Sequence, residues 1–136
     1  MRARGYAPNY TLVEKNNTVL GWTIEILSKG NSPKLEPVCR DAETFMAENQ
    51  RKYDLVFVDV FTGRVVPDFA TTPFFLKRCR DSLAPGGILA FNYIEDDKHK
   101  WKEVRGAIAG VFPGCQLVSR DDNRILISPQ SEGCGL

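Results

Sequence analysis

Three acidic residues stand where short apolar runs end. Glu14 closes the run YTLVE, Asp41 follows the run Leu35 to Cys39 with Ala42 directly behind it, and Asp59 is the charged residue of LVFVDV. An ionised carboxylate offers only acceptors, on two oxygens, and suits a ligand that donates hydrogen bonds. Each acid has a structural role of equal chemical standing. Glu14 can be a solvated strand-end residue, and Asp41 can cap the helix that follows it. Asp59, after a nearly unbroken apolar run, can be a hydrogen-bond acceptor that the fold itself satisfies.

Other chemistries find little support. The single histidine is His99, and the four cysteines, Cys39, Cys79, Cys115 and Cys134, form no Cys-x-x-Cys pair. A structural zinc needs about four nitrogen or sulfur ligands at suitable spacing, so no metal site is expected and the thiols read as free, in a reducing compartment. The net charge of +1 balances 18 basic against 17 acidic residues, which offers no field for nucleic acid or an acidic membrane. Arg2, Arg4, Lys98, Lys100 and Lys102 read as solvated basic groups. No apolar run approaches the ~20 residues that cross a bilayer. The opening MRARGYAPNY is too polar for a signal-peptide core, and a cytoplasmic protein is the expectation.

The elements that would hold the three acids alternate along the chain. Tyr10 to Glu14 is a short strand. Thr18 to Ser28 is a helix with Leu20, Ile24 and Leu27 on one face, Asn17 or Thr18 at its start and Gly30 past its end. Leu35 to Cys39 is a strand, and Ala42 to Asn49 a helix burying Phe45 and Met46. Leu55 to Val60 has the composition of a strand covered on both faces. Thr72 and Pro73 open a helix whose buried stripe is Phe75, Leu76, Cys79 and Leu83. Pro85-Gly86-Gly87 is a turn, not a phosphate loop, and Ile88 to Tyr93 is the next buried strand. Asp97 to Phe112 is a helix with Trp101, Val104, Ile108 and Val111 inward. Cys115 to Val118 and Arg124 to Ile127 form a hairpin across the polar stretch Ser119 to Asn123. The order β-α-β-α-β-α-β-α-β-β implies an α/β fold with a mostly parallel sheet and a final antiparallel pair. The three acids then sit at carboxyl ends of strands, where open α/β sheets bind ligands. Phe61, Phe69, Phe74 and Tyr93 are expected in the core or in a pocket wall.

The stretch from Tyr53 to Asn92, YDLVFVDVFTGRVVPDFATTPFFLKRCRDSLAPGGILAFN, closely resembles spermidine synthases and their methyltransferase-like relatives, the Rossmann-like proteins that use S-adenosylmethionine. The shared features are the Tyr-Asp, the buried strand ending in Asp, the loop with Gly and Pro, the Thr-led helix and the Pro-Gly-Gly turn. The terminal hairpin also looks like the reversed strand pair that closes methyltransferase sheets. The resemblance extends more weakly over about residues 10 to 128. It implies a Rossmann-like methyltransferase sheet with helices on both faces, and S-adenosylmethionine or its decarboxylated form as cofactor. By the resemblance, Glu14 accepts hydrogen bonds from the ribose hydroxyls and Asp41 with the Ala42 amide holds the adenine edge. Asp59, with Phe61 beside it, faces the amino end of the methionine or aminopropyl group.

Two departures from the family pattern shape the functional expectation. The first strand of the family and its Gly-rich turn have no counterpart. Only nine residues precede YTLVE, Gly5 alone does not replace a Gly-x-Gly turn, and Gly133-Cys134-Gly135 lacks the flanking strand and helix. The strands ending at Glu14 and Asp59 must then pair directly, or a partner chain or second copy fills the gap between them. The second departure is Thr62 in DVFTG, where spermidine synthases carry a second Asp that acts as base; Asp68 lies nearby in the loop. No catalytic residue is assigned. The expectation is one truncated Rossmann-like domain over 1–136, with an N-terminal arm at 1–9 and a loose tail at 129–136. Its function is that of a spermidine synthase-like or methyltransferase-like transferase binding a small nucleoside ligand. The alternative is a non-catalytic degenerate or truncated relative acting as a structural or interaction domain, with a dimer as one form of it.

Overall fold

In the computed structural model, the chain is described over residues 9–27, 34–61 and 65–129. Expectations for Arg2, Arg4, Gly5, Gly30, Thr62, Cys134 and the rest of the tail from residue 130 lie outside the described residues. The chain divides into two compact units, residues 1–45 and 46–136.

The smaller unit is built on two parallel strands. Strand β1 (Asn9–Val13) and strand β2 (Lys34–Val38) pair from Asn9 opposite Lys34 to Val13 opposite Val38. A parallel pair needs a long crossover, usually helical, and helix α1 (Asn17–Leu27) supplies it. Its start is capped by Asn16, one residue before the expected Asn17 or Thr18: the Asn16 Oδ1 accepts from the amides of Thr18 and Val19, each at 3.0 Å. Leu20 is buried as its spacing predicts and Ile24 is half-buried. Helix α2 (Ala42–Glu48) begins in this unit, with Asp41 as its cap.

The larger unit holds a four-stranded sheet in the order β3-β4-β6-β5. Strand β3 (Tyr53–Val58) runs parallel to β4 (Leu83–Ile94). Strand β6 (Asn123–Ile127) is antiparallel to both β4 and β5 (Gln116–Arg120), and so gives the expected closing hairpin. Helix α3 (Pro73–Asp81) joins β3 to β4 after a short 3-10 turn at Asp68–Thr71. Helix α4 (Lys98–Val111) joins β4 to β5. The mixed α/β architecture and the strand and helix order agree with the sequence reading.

Side-chain alternation explains where the core lies. On β4, Leu89, Phe91 and Tyr93 are buried, as is Leu126, which pairs with Phe91. They meet Phe75, Leu76 and Cys79 of α3 and Trp101, Val104, Ile108 and Val111 of α4 on the same side, all buried at the predicted positions. Tyr93 stacks on Trp101 with ring centroids 5.3 Å apart, and Phe69 meets Phe75 edge-on at 5.2 Å. Full burial of each large side chain contributes about 1.5–3 kcal/mol. Burial also pushes the Cys79 thiol up to about 12.

Local signals fix the helix ends. Thr72 caps α3 by accepting from the Phe75 amide at 3.3 Å, with Pro73 in the first turn. Asp97 caps α4, accepting from His99 and Lys100 amides at 2.8 and 3.3 Å, so the helix starts one residue after the expected position. The Arg78 guanidinium donates to the carbonyls of Met46 and Asn49 at 3.1 and 3.0 Å, satisfying the end of α2.

Four expectations are corrected. Strand β3 is not covered on both faces within its sheet: Leu55 is 51% and Phe57 58% exposed, because alternation turns them away from the buried face that carries Val58. Phe74 is 63% exposed, since the helical phase of α3 points its neighbours Phe75 and Leu76 inward instead. Pro85-Gly86-Gly87 does not separate two elements. It is an irregularity inside β4, where Tyr53 pairs with Leu83 but Leu55 pairs with Ile88. The hairpin turn is two residues long, not five: Arg120 pairs with Asn123, and Asp121 adopts a φ of 52° that aspartate tolerates.

Gly87 makes the irregularity in β4 possible. A Cβ there would lie 2.8 Å from the Ala84 carbonyl oxygen and 2.9 Å from that of Tyr53, both backbone atoms. Gly106 in α4 has open space around it. Gly87→Ala is expected to destabilise the fold by about 1–3 kcal/mol, and Gly106→Ala to stabilise it by roughly 0.5–1 kcal/mol. Urea unfolding of the two variants beside the parent checks both signs.

Candidate functional site

At the carboxyl end of the smaller unit's sheet, the Glu14 amide donates to the Val38 carbonyl at 3.0 Å, so Glu14 extends the ladder by one step. Its Oε2 accepts from the Asn16 amide at 2.9 Å. Asn16 in turn caps α1, and the half-buried carboxylate is thereby held over the strand-to-helix turn. Asp41 lies three residues past the end of β2. Its Oδ1 accepts from the Thr44 amide at 3.1 Å, its Oδ2 accepts from the Thr44 hydroxyl, and its carbonyl accepts from the Phe45 amide at 3.0 Å. The hydrogen bond from the Thr44 hydroxyl, followed by that from the Thr44 amide, holds the Asp41 carboxyl below its ordinary value; the Lys15 charge adds to this. The Cys39 thiol donates to the Lys15 carbonyl at 3.6 Å and ties together the loops that follow β1 and β2. Glu14, Asp41 and Ala42 thus share one end of this parallel pair.

At the carboxyl end of β3 in the larger unit, Asp59 is exposed and Phe61 half-buried. The Asn92 side-chain amide, on the neighbouring strand β4, donates from Nδ2 to Asp59 Oδ1 at 3.1 Å. The Asn92 Oδ1 is buried and has no hydrogen-bond partner among the described residues. Turning the amide over would set its oxygen against the carboxylate, so Asp59 fixes which way Asn92 points. Asn92 is the residue that sequence reasoning missed. Its signal was present: ILAFNYI is an otherwise apolar strand broken by one amide, directly across the sheet from the end of LVFVDV.

More charge gathers just beyond β4. Glu95 pairs with Arg124 at 3.3 Å, both side chains less than a fifth exposed. Asp68 pairs with Lys100 at 3.4 Å. Burial is the main cause that raises the Tyr93 hydroxyl above its usual value; Asp96, Asp97 and Asp68 add to it and Lys100 opposes it. Among the described residues no cluster of three or more His, Cys, Asp or Glu is placed to hold a metal ion, and no helix is long and apolar enough to cross a membrane.

No protein-family model matches the chain. Two curated proteins are similar in sequence. An alpha N-terminal protein methyltransferase 1 of Caenorhabditis elegans is 26% identical over 98 residues, 65% of this chain and 41% of that protein. A polyamine aminopropyltransferase of Vibrio vulnificus is 27% identical over 81 residues, 57% of this chain and 27% of that protein. The chain therefore spans less than half the length of the curated relatives it matches. Among solved structures, a probable spermidine synthase from Corynebacterium glutamicum superposes with a TM-score of 0.75 at 24% identity, over 88% of this chain and 46% of that one. Human methyltransferase-like protein 13, solved in complex with SAH, gives 0.76 at 19% identity, over 94% and 64%. The chain has the Rossmann-like fold of the S-adenosylmethionine-dependent methyltransferases. Within that class its likeness, in fold and in sequence, runs to spermidine synthases and methyltransferases together.

The capping role of Asp41 has a measurable consequence. Its carboxyl titrates below its ordinary value of 3.8 in the folded chain, so the stability it contributes is complete above that value and is lost as pH falls through the folded one. Asp41→Ala is expected to cost about 1 kcal/mol at neutral pH, and the gap from the parent to narrow once the pH drops below 3.8. Thermal melts of parent and variant across that range read the difference.

Proposed function

We propose that this chain is the nucleoside-binding part of a transferase that uses S-adenosylmethionine or its decarboxylated form. The observation that carries the reading is Glu14, a carboxylate held at the carboxyl end of a parallel strand by the Asn16 amide. Held this way, it presents acceptors to a pair of ribose hydroxyls without paying much side-chain entropy on binding. Asp41 and the Ala42 amide take the adenine edge in this reading; for Asp59, which holds the Asn92 amide within the larger unit, the family resemblance implies the amino end of the methionine or aminopropyl group. The SAH bound in the human methyltransferase-like structure supports the choice of ligand class.

The transfer itself moves a methyl or aminopropyl group from a sulfonium to a nucleophile. Methyl transfer is favoured over aminopropyl transfer, because Thr62 stands where spermidine synthases carry a base and a hydroxyl does not accept a proton near neutral pH. Positioning alone supplies much of the rate in such displacements. Asp68 is a poor substitute base, since it is engaged with Lys100. The reading includes a cytoplasmic setting, supported by the free thiols of Cys39, Cys79 and Cys115. A non-catalytic role is the competing reading, and the full engagement of Asp41 as a helix cap favours it.

Calorimetric titration of the chain with S-adenosylmethionine and with its decarboxylated form separates the two. Saturable heat is expected with at least one of them, and Glu14→Gln is expected to weaken binding at least tenfold, about 1.4 kcal/mol. An absence of heat at millimolar ligand would exclude cofactor binding by this chain.

A further inference from the structure

Both oxygens of the Asp41 carboxylate already have a donor, and both donors belong to one residue. Oδ1 accepts from the Thr44 amide at 3.1 Å, and Oδ2 accepts from the Thr44 hydroxyl. Among the described residues β1 pairs with β2 alone, so the direct pairing of β1 with β3 anticipated from sequence is not made. Asp41 and Thr44 belong, with Glu14, to the smaller unit, and their contact is complete within it.

The two bonds to Asp41 do different things. The amide bond caps α2, because the first amides of a helix have no partner within it. The hydroxyl bond has no such task, since Thr44 is exposed and water can satisfy its hydroxyl. In a capping box the third helical residue is a Glu or Gln that reaches back to the backbone amide of the cap and leaves the cap's own side chain alone. Here that residue is a threonine, and its hydroxyl turns to the carboxylate instead.

An oxygen that already accepts one hydrogen bond is a weaker acceptor for the next. The Thr44 hydroxyl is the main cause that holds the Asp41 carboxyl below its ordinary value. A ligand amino group can share Oδ2 with this hydroxyl or displace it. Sharing meets an oxygen whose charge is partly drawn off, and displacement exchanges one donor to a carboxylate for another. Either way the contact adds little to affinity while the hydroxyl is present.

We propose that the Thr44 hydroxyl competes with the adenine amino group for Asp41, so that Thr44 sets the affinity of the nucleoside site. The inference rests on the cofactor reading and adds to it a specificity-determining residue outside the strand-end acids.

Calorimetric titration of the full chain with S-adenosylhomocysteine reads the competition. Thr44→Val keeps the shape and the amide and removes the donor, and is expected to bind at least tenfold tighter than the parent, about 1.4 kcal/mol. Thr44→Ser keeps a hydroxyl and is expected to stay close to the parent. S-inosylhomocysteine carries a carbonyl oxygen where adenine has its amino group, and its affinity is expected not to rise in Thr44→Val. NMR titration of the Asp41 carboxyl checks the contact without ligand: in Thr44→Val it moves up toward 3.8. Should Thr44→Val fail to fold, Thr44→Ala carries the same measurements. Binding by the parent with no gain in the valine variant, or an equal gain for both purines, overturns the competition and leaves the cofactor reading standing. No binding by the parent or by any variant overturns the cofactor reading and this proposal with it.

Discussion

The larger unit depends on one face of β4. Leu89, Phe91 and Tyr93 alternate along it, each buried, and α3, α4 and β6 keep water from them. Helix α3 brings Leu76 and Cys79, α4 brings Trp101 and Ile108, and β6 brings Leu126 opposite Phe91. The backbone of Leu89 is satisfied from within. The Ser128 hydroxyl accepts from the Leu89 amide at 2.8 Å, and the Ser128 amide donates to the Leu89 carbonyl at 2.9 Å, deep in the core. Because interiors pack at crystal-like density, this face also fixes where the strand ends fall, and with them the position of Asn92 and Asp59.

The strand-end acids show how structural and ligand-directed chemistry share the same atoms. Asp41 caps a helix, and Glu14 secures the turn that leads to Asn16, itself a cap. A carboxylate pre-ordered by backbone amides has already lost its rotamer freedom, so a ligand meets it without that cost. The same hydrogen bonds occupy lone pairs that a ligand would otherwise use. Asp59 differs in this respect: its partner is a side-chain amide, and it remains exposed.

Legibility in the sequence followed the strength of the periodic signal. Helix α4 could be read residue by residue, since Trp101, Val104, Ile108 and Val111 keep one phase over about three turns and all four are buried. Cap chemistry located α3 at Thr72 and α2 at Asp41. What escaped were features decided by neighbours distant in the chain. An unbroken apolar run such as LVFVDV says that a strand is hydrophobic and not which neighbours cover it, and Leu55 and Phe57 stayed open. A Pro-Gly-Gly sequence reads as a turn, while pairing with Tyr53 and Leu55 absorbed it into β4. The hairpin turn looked long because its strand ends are polar, although the ladder runs on through Arg120 and Asn123. Of the site, the acids and their strand-end positions were legible. Asn92 was not, because an amide in a strand acquires meaning only from what lies beside it.

Cys79 gives the core a reporter of its own. Its sulfur is fully enclosed between α3 and the sheet, and a thiol that ionises only near pH 12 is almost wholly unreactive toward alkylating or disulfide reagents at neutral pH. Modification therefore waits for α3 to lift away from β4, and its rate at a given reagent concentration tracks how often that happens. The chain thus carries a built-in clock for the opening of its hydrophobic centre, readable with a thiol reagent and no engineered label.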